Sequence, residues 1–160
     1  MNPDKEHKMS TKSVDPTAFQ PMKVTASKNT EVGFEIEPIT KKMTLDKIRL
    51  YRSQWPRVRN WHNDYEVAQS WGVDKPLAFA SQVMEYLGEM LVKFFGEGYL
   101  GGNVSVSIVQ PVFPEDVITT KGIVREKVAE GNNVRLILDV WCENQHGEKV
   151  IVGEASGLVR

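Results

Sequence analysis

The stretch from Phe79 to Phe95 constrains what this chain can fold into more than any other. Ala80, Val83, Met84, Leu87, Met90, Leu91 and Phe94 recur at three- and four-residue steps, the period of one helical face. Phe79, Tyr86 and Phe95 widen that face until little of the helix is left for water. Pro76 stands where a first-turn proline would, so the spacing predicts a helix of about 20 residues, about 30 Å long. A helix this apolar has to be enclosed by other elements.

The C-terminal half supplies the enclosure. Val104, Val106 and Ile108 alternate with serines; Ile118, Val124 and Val128 share one face, and Val134, Leu136, Leu138 and Val140 another. Val150, Val152, Ala155 and Leu158 form a last strand. Gly131-Asn132-Asn133 and His146-Gly147 read as hairpin turns, so consecutive strands are expected to be antiparallel neighbours in a meander. Helices first and strands after predict an α+β domain, an antiparallel β-sheet around one long central α-helix.

Before the helix the chain is more varied. Residues 1 to 28 are rich in Lys, Ser, Thr and Pro and read as a flexible N-terminal tail, with Phe19, Met22 and Val24 as the only candidates for local docking; the domain is expected to span 29–160. Phe34 and Ile36 alternate with polar partners up to Pro38, which predicts a short edge strand. Thr44 then caps an amphipathic helix bearing Leu45, Ile48, Tyr51 and Trp55, ended by Pro56. Asn63 or Asp64 caps a second short helix with Val67, Ala68 and Trp71 on its apolar stripe and Gly72 at its stop.

Charge and cysteine content narrow the function classes. Formal net charge is −1 with acids and bases interspersed, which argues against a nucleic-acid surface or a polybasic membrane anchor. Cys142 is the only cysteine, the first residues lack the apolar core of a signal peptide, and no apolar run reaches the length of a membrane span. The expected location is the cytoplasm. One cysteine and scattered histidines offer no metal-ligand spacing, and no cofactor motif survives its context. Gly96-Glu97-Gly98-Tyr99-Leu100-Gly101 has the glycine spacing of a dinucleotide loop but follows a helix and leads into a strand, so it reads as a turn.

Of three histidines, His7 falls in the tail and His146 in a hairpin turn. His62 lies in the polar segment Arg57-Val58-Arg59-Asn60-Trp61-His62-Asn63-Asp64, between apolar helices. It reads either as a general base, since imidazole titrates near neutrality, or as a histidine hydrogen-bonded to a loop backbone. Trp61 and Trp71 read as core or interface residues, with an acyl pocket as the alternative.

The order of these segments resembles the MaoC-like acyl dehydratases, which have the hot-dog fold. Glu31-Val32-Gly33 with Thr44-Leu45 is similar to the family's opening strand and helix. Asn60-Trp61-His62-Asn63-Asp64, followed by Ala68 and Gly72, resembles its N-P-I-H-x-D loop. Pro111-Val112-Phe113-Pro114-Glu115-Asp116-Val117 resembles its P-V-x-x-G-D block, and Gly153-Glu154-Ala155 its closing strand. The resemblance implies water addition to, or removal from, a 2-enoyl/3-hydroxyacyl-CoA thioester, in a homodimer or higher homo-oligomer. It implies His62 as acid/base, with Asn60 and Asp64 orienting it or the water, and an oxyanion site on the backbone N–H groups around Ala80 and Ser81. Three positions depart from it. The family's aspartate five residues before the histidine is Arg57 here, its A-H-G-M is Ala78-Phe79-Ala80-Ser81, and the glycine of P-V-x-x-G-D is Glu115. Arg57 cannot serve as a base but can hold an anion, and Asp64 is either the second acid/base or a helix cap. The alternative is a non-catalytic subunit, with Arg57 and Phe79 beside a bound acyl thioester, that works with a partner.

Overall fold

The computed structural model describes residues 24–51 and 58–160. Its centre is the apolar helix, here α3 (Ala80–Phe95), preceded by β1 (Ile39–Lys42), α1 (Leu45–Tyr51) and α2 (Tyr65–Ser70). A 3₁₀ turn over Gly96–Gly101 leads into β2 (Asn103–Ile108), β3 (Val117–Glu130), β4 (Asn133–Glu143) and β5 (Lys149–Val159). All five strands form one antiparallel sheet in the order β1-β3-β4-β5-β2.

The periodicity of the sequence is realised as a two-layer core. Val83, Leu87, Met90, Leu91, Phe94 and Phe95 of α3 are buried, against Ile118 and Val124 of β3, Leu136, Leu138 and Val140 of β4, and Ile151, Ala155 and Val159 of β5. Each large apolar side chain removed from water here contributes roughly 1.5–3 kcal/mol, which is why α3 needs the sheet. At Gly157 the approach is closest. A Cβ there would stand 2.5 to 2.6 Å from three carbons of the Phe95 ring, so only glycine lets that ring reach the sheet.

Several expectations about element boundaries need correction. The helix starts at Ala80, not at Pro76, because the amides before it are held elsewhere: Leu77 N–H donates to the Trp61 carbonyl at 3.1 Å and Ala78 N–H to that of Val112 at 2.8 Å. It is therefore 16 residues long. The first strand follows Pro38 instead of preceding it; residues Gly33 to Ile36 only touch β3 through single bonds such as Ile36 N–H to Gly122 O at 2.9 Å. Strand β2 is not part of a simple meander. It lies at the far edge beside β5, and the chain crosses the sheet to reach β3. The Gly96–Gly101 segment is a 3₁₀ turn. Residues assigned to the tail also contribute, since Thr25 and Ala26 N–H groups donate to the Phe94 carbonyl at 3.3 and 2.9 Å. His7, Phe19, Met22, Trp55, Pro56 and Arg57 lie outside the described residues.

Other local readings hold. Thr44 Oγ1 accepts from Lys47 N–H at 3.2 Å at the start of α1, and Gly131 turns the β3–β4 hairpin with φ +59°. Glu115, at the position of the resembled motif's glycine, has φ 77°. That left-handed backbone is what a glycine there accommodates freely; here Glu115 adopts it while its N–H donates to Met43 O and its carboxylate pairs with Lys42. No described helix is long and apolar enough to cross a membrane.

Candidate functional site

The segment before α2 is shaped by its own asparagines. Asn60 Oδ1 accepts from the His62 N–H at 2.8 Å, and Asn63 Oδ1 accepts from the Asn60 N–H at 2.9 Å, the local turn that asparagine side chains favour. Arg49 of α1 donates Nε and Nη2 to the Asn63 carbonyl at 3.1 and 3.0 Å, tying the loop down. Asn60 thus orients the His62 backbone and not its ring.

Asp64 has the capping role. Its Oδ1 accepts from Val67 N–H at 3.1 Å, and Arg59 holds both carboxylate oxygens, at 2.6 and 2.9 Å, while also reaching Glu66. The Arg59 hydrogen bonds, then the Val67 N–H, lower the Asp64 carboxyl to about 2. Held as an anion by a guanidinium, it has no proton to give at neutral pH.

His62 is gripped from the side of α3. Its Nδ1 lies 2.8 Å from the Leu77 carbonyl, and Leu77 N–H in turn donates to the Trp61 carbonyl, so one residue holds both. A carbonyl only accepts, so in the neutral ring Nδ1 carries the proton and Nε2 the lone pair. The ring stacks on Phe79 with centroids 3.9 Å apart at 25°, and meets the edge of Trp61 at 5.4 Å. Phe79 also packs against Tyr51 at 5.7 Å, and the Tyr51 hydroxyl donates to Glu85 at 2.6 Å. Sequence reasoning did not find Leu77, Tyr51 or Glu85 as supports of this ring, because nothing in their spacing encodes contacts across three segments.

His62 faces a cavity of about 270 Å³ at the start of α3. Leu77, Ala78, Ala80 and Val83 form one wall; Ile108, Gln110, Pro111, Val112, Val150 and Ile151 form the other. Among the described residues, apart from the Trp61 indole, His62 and Gln110 are its polar lining side chains, and no described carboxylate lines it. Phe79 occupies the N-cap of α3 with extended backbone and no side-chain cap bond. The N–H groups of Ala80 and Ser81 precede the first intrahelical acceptor, as in the first turn of any helix, and carry its partial positive charge.

Of the residues singled out from sequence, His62 and Ala80 line this cavity and Phe79 stacks on the His62 ring, Ser81 follows Ala80 in the first turn of α3 without lining the cavity, and Asn60 and Asp64 support the loop. The two tryptophans are not core residues: Trp61 is 40% exposed at the cavity rim, and Trp71, 5.9 Å from it, is 71% exposed. A second cavity of the same size lies along the far half of α3, among Ile36, Ile39, Met90 and Phe94. No predicted site residue lines it. Cys142 is buried, and burial pushes its thiol up to about 12, which makes it inert. Among the described residues no three His, Cys, Asp or Glu side chains gather as metal ligands.

No family model and no curated protein matches the sequence. Solved structures do match the fold. The unliganded (R)-hydratase of Pseudomonas aeruginosa superposes with a TM-score of 0.68 at 21% identity, over 81% of this chain and 82% of that one. A MaoC-like dehydratase from Rhodospirillum rubrum gives 0.70 at 18% identity, over 82% and 93%. A 3R-hydroxyacyl-ACP dehydratase complex from Mycobacterium tuberculosis gives 0.62 at 16% identity, over 81% and 98%. At these identities the likeness is one of fold: the chain has the hot-dog fold of the MaoC-like dehydratases.

Proposed function

We propose that this protein is a hydro-lyase that adds water to a 2-enoyl-CoA thioester, or removes it from the 3-hydroxyacyl-CoA, with His62 as its acid and base. The observation that carries the reading is the meeting of a backbone-anchored imidazole and a helix N-terminus at one apolar cavity. In hydration, Nε2 of neutral His62 takes a proton from water as the oxygen bonds to C3. The C2–C3 π electrons move toward the thioester oxygen, where the N–H groups around Ala80 and Ser81 stabilise the enolate. The imidazolium then returns its proton to C2. One histidine closes this cycle, and Asp64 has no proton to exchange in it. Working as at least a homodimer suits the exposed end of edge strand β2, where Ile108 and Val109 are half-exposed.

The second reading is an acyl-thioester-binding subunit that completes a partner's site. What favours it is that no carboxylate among the described residues lines the cavity. The two separate on turnover by the chain alone. Purified protein is expected to bleach the absorbance of at least one member of a series of 2-enoyl-CoAs. If every member is left unhydrated while acyl-CoA still binds, the hydro-lyase reading is overturned in favour of the subunit.

A further inference from the structure

Two indole rings stand side by side on the surface next to His62. Trp61 lines the cavity, meets the His62 ring edge-on at 5.4 Å and is 40% exposed; Trp71 lies 5.9 Å from Trp61, tilted by 52°, and is 71% exposed. Large rings left this open add little to the core, and adjoining exposed apolar side chains mark a surface that something covers. Both residues are fixed through their backbones before anything binds. The Trp61 carbonyl accepts from Leu77 N–H, and Trp71 N–H closes α2 on Ala68 O at 3.0 Å while Asp64 caps the other end of that helix.

The rings continue the cavity outward. Its exposed lining residues are Trp61, Ala80, Ile108, Gln110 and Pro111. Ile108 belongs to edge strand β2, the surface through which two copies are proposed to pair, which leaves the Trp61 side for a ligand that extends beyond the cavity. A chain leaving on that side crosses Trp61 and then Trp71, whose ring lies within about 11 Å of the His62 ring. In an acyl-CoA the group that follows the sulfur is the pantetheine arm, uncharged, with two planar amides and a gem-dimethyl carbon. At about 3.6 Å for every three bonds it reaches about 14 Å from the sulfur, against about 6 Å for an N-acetylcysteamine arm. Flat amides and methyl groups suit the faces of indole rings, and an uncharged arm leaves no ion to desolvate there. Resting on the acyl-thioester reading of this site, we infer that Trp61 and Trp71 form a platform for the pantetheine arm, Trp61 under its cysteamine end and Trp71 under its β-alanine and pantoyl part.

Saturated thioesters, which cannot be hydrated, test this apart from catalysis. Hexanoyl-CoA, S-hexanoyl-pantetheine and S-hexanoyl-N-acetylcysteamine are titrated calorimetrically into wild type, Trp71→Ala and Trp71→Phe. Trp71→Ala is expected to weaken the CoA and pantetheine thioesters by the same factor, about tenfold, and the N-acetylcysteamine thioester by less than about twofold. Trp71→Phe, which keeps a ring, should recover most of that loss, and all three proteins should sediment as the same oligomer. Equal losses on the three thioesters, a loss on the CoA thioester alone, or no loss at all would overturn the inference. So would a variant that changes oligomeric size, which would make Trp71 an interface residue. Hydration of 2-hexenoyl-CoA measured in parallel keeps the two claims apart. Binding that depends on Trp71 without turnover sinks the hydro-lyase reading alone, and turnover with binding indifferent to Trp71 sinks the platform alone. A wild type that binds none of the three thioesters sinks both.

Discussion

The two ends of α3 are built from the same kind of sequence and finished in opposite ways. At the C-terminal end, Phe95 presses on Gly157, Gly96 N–H caps onto Val92 O, and the Phe94 carbonyl takes N–H groups from both Thr25 and Ala26. At the N-terminal end the cap residue is Phe79, which gives no side-chain bond to the helix and spends its ring on His62. An ordinary helix would begin with Ser, Thr, Asp or Asn, and α2 does so with Asp64. One end of α3 is sealed for stability; the other begins at Ala80 on the wall of a cavity. Where local rules of folding are broken without compensation, function is the first place to look.

Substitutions at each end should therefore move different observables. The largest effect on stability is expected at the sealed end. Gly157→Ala forces a methyl into the Phe95 ring and should lower unfolding free energy by about 2–3 kcal/mol in urea titrations, with turnover per folded molecule unchanged. An equal loss of turnover would mean that the two ends are coupled. A smaller effect is expected at the open end from Phe79→Leu, which keeps an apolar wall but removes the ring stacked on His62. Its kcat should fall about fivefold, close to 1 kcal/mol, with KM and stability nearly unchanged. A change confined to KM would instead make Phe79 a substrate contact.

The smallest effect belongs to the loop behind the site. With its carboxyl lowered from the ordinary 3.8 to about 2, Asp64 contributes stability that is fully present above about pH 4 and is lost as pH falls toward 2. Asp64→Asn keeps the capping oxygen and loses the charge pair with Arg59. Its Tm should lie about 2–3 °C below wild type at pH 7 and converge with it near pH 2. Hydration at pH 7 should persist, because Asp64 serves the loop and not the proton transfer. If activity vanishes while the Tm holds, Asp64 is part of the chemistry after all.

Legibility from sequence follows the same division. The sheet and the buried face of α3 could be read because burial imposes a period on side chains, and Leu136, Leu138 and Val140 keep it without interruption. Asp64 could be read as a cap because capping is local. Boundaries set by distant partners could not. Helix α3 starts late because Leu77 and Ala78 give their amides to Trp61 and Val112, and β1 starts after Pro38 because its register is fixed by Val117 to Thr120. The place of β2 beside β5 is a matter of topology that alternation leaves open. At the site, the resemblance pointed to His62, whereas the Leu77 carbonyl and the Phe79 ring that hold it, and the Arg59 clamp on Asp64, emerged only with the fold.

In the proposed reaction His62 is the group that moves the proton. Its most direct test is hydration of 2-octenoyl-CoA by wild type and His62→Ala, with octanoyl-CoA affinity measured on the same samples. The prediction is a fall in kcat of at least about a thousandfold, with affinity within a few-fold of wild type. A His62→Ala protein that hydrates the thioester at the wild-type rate would contradict it.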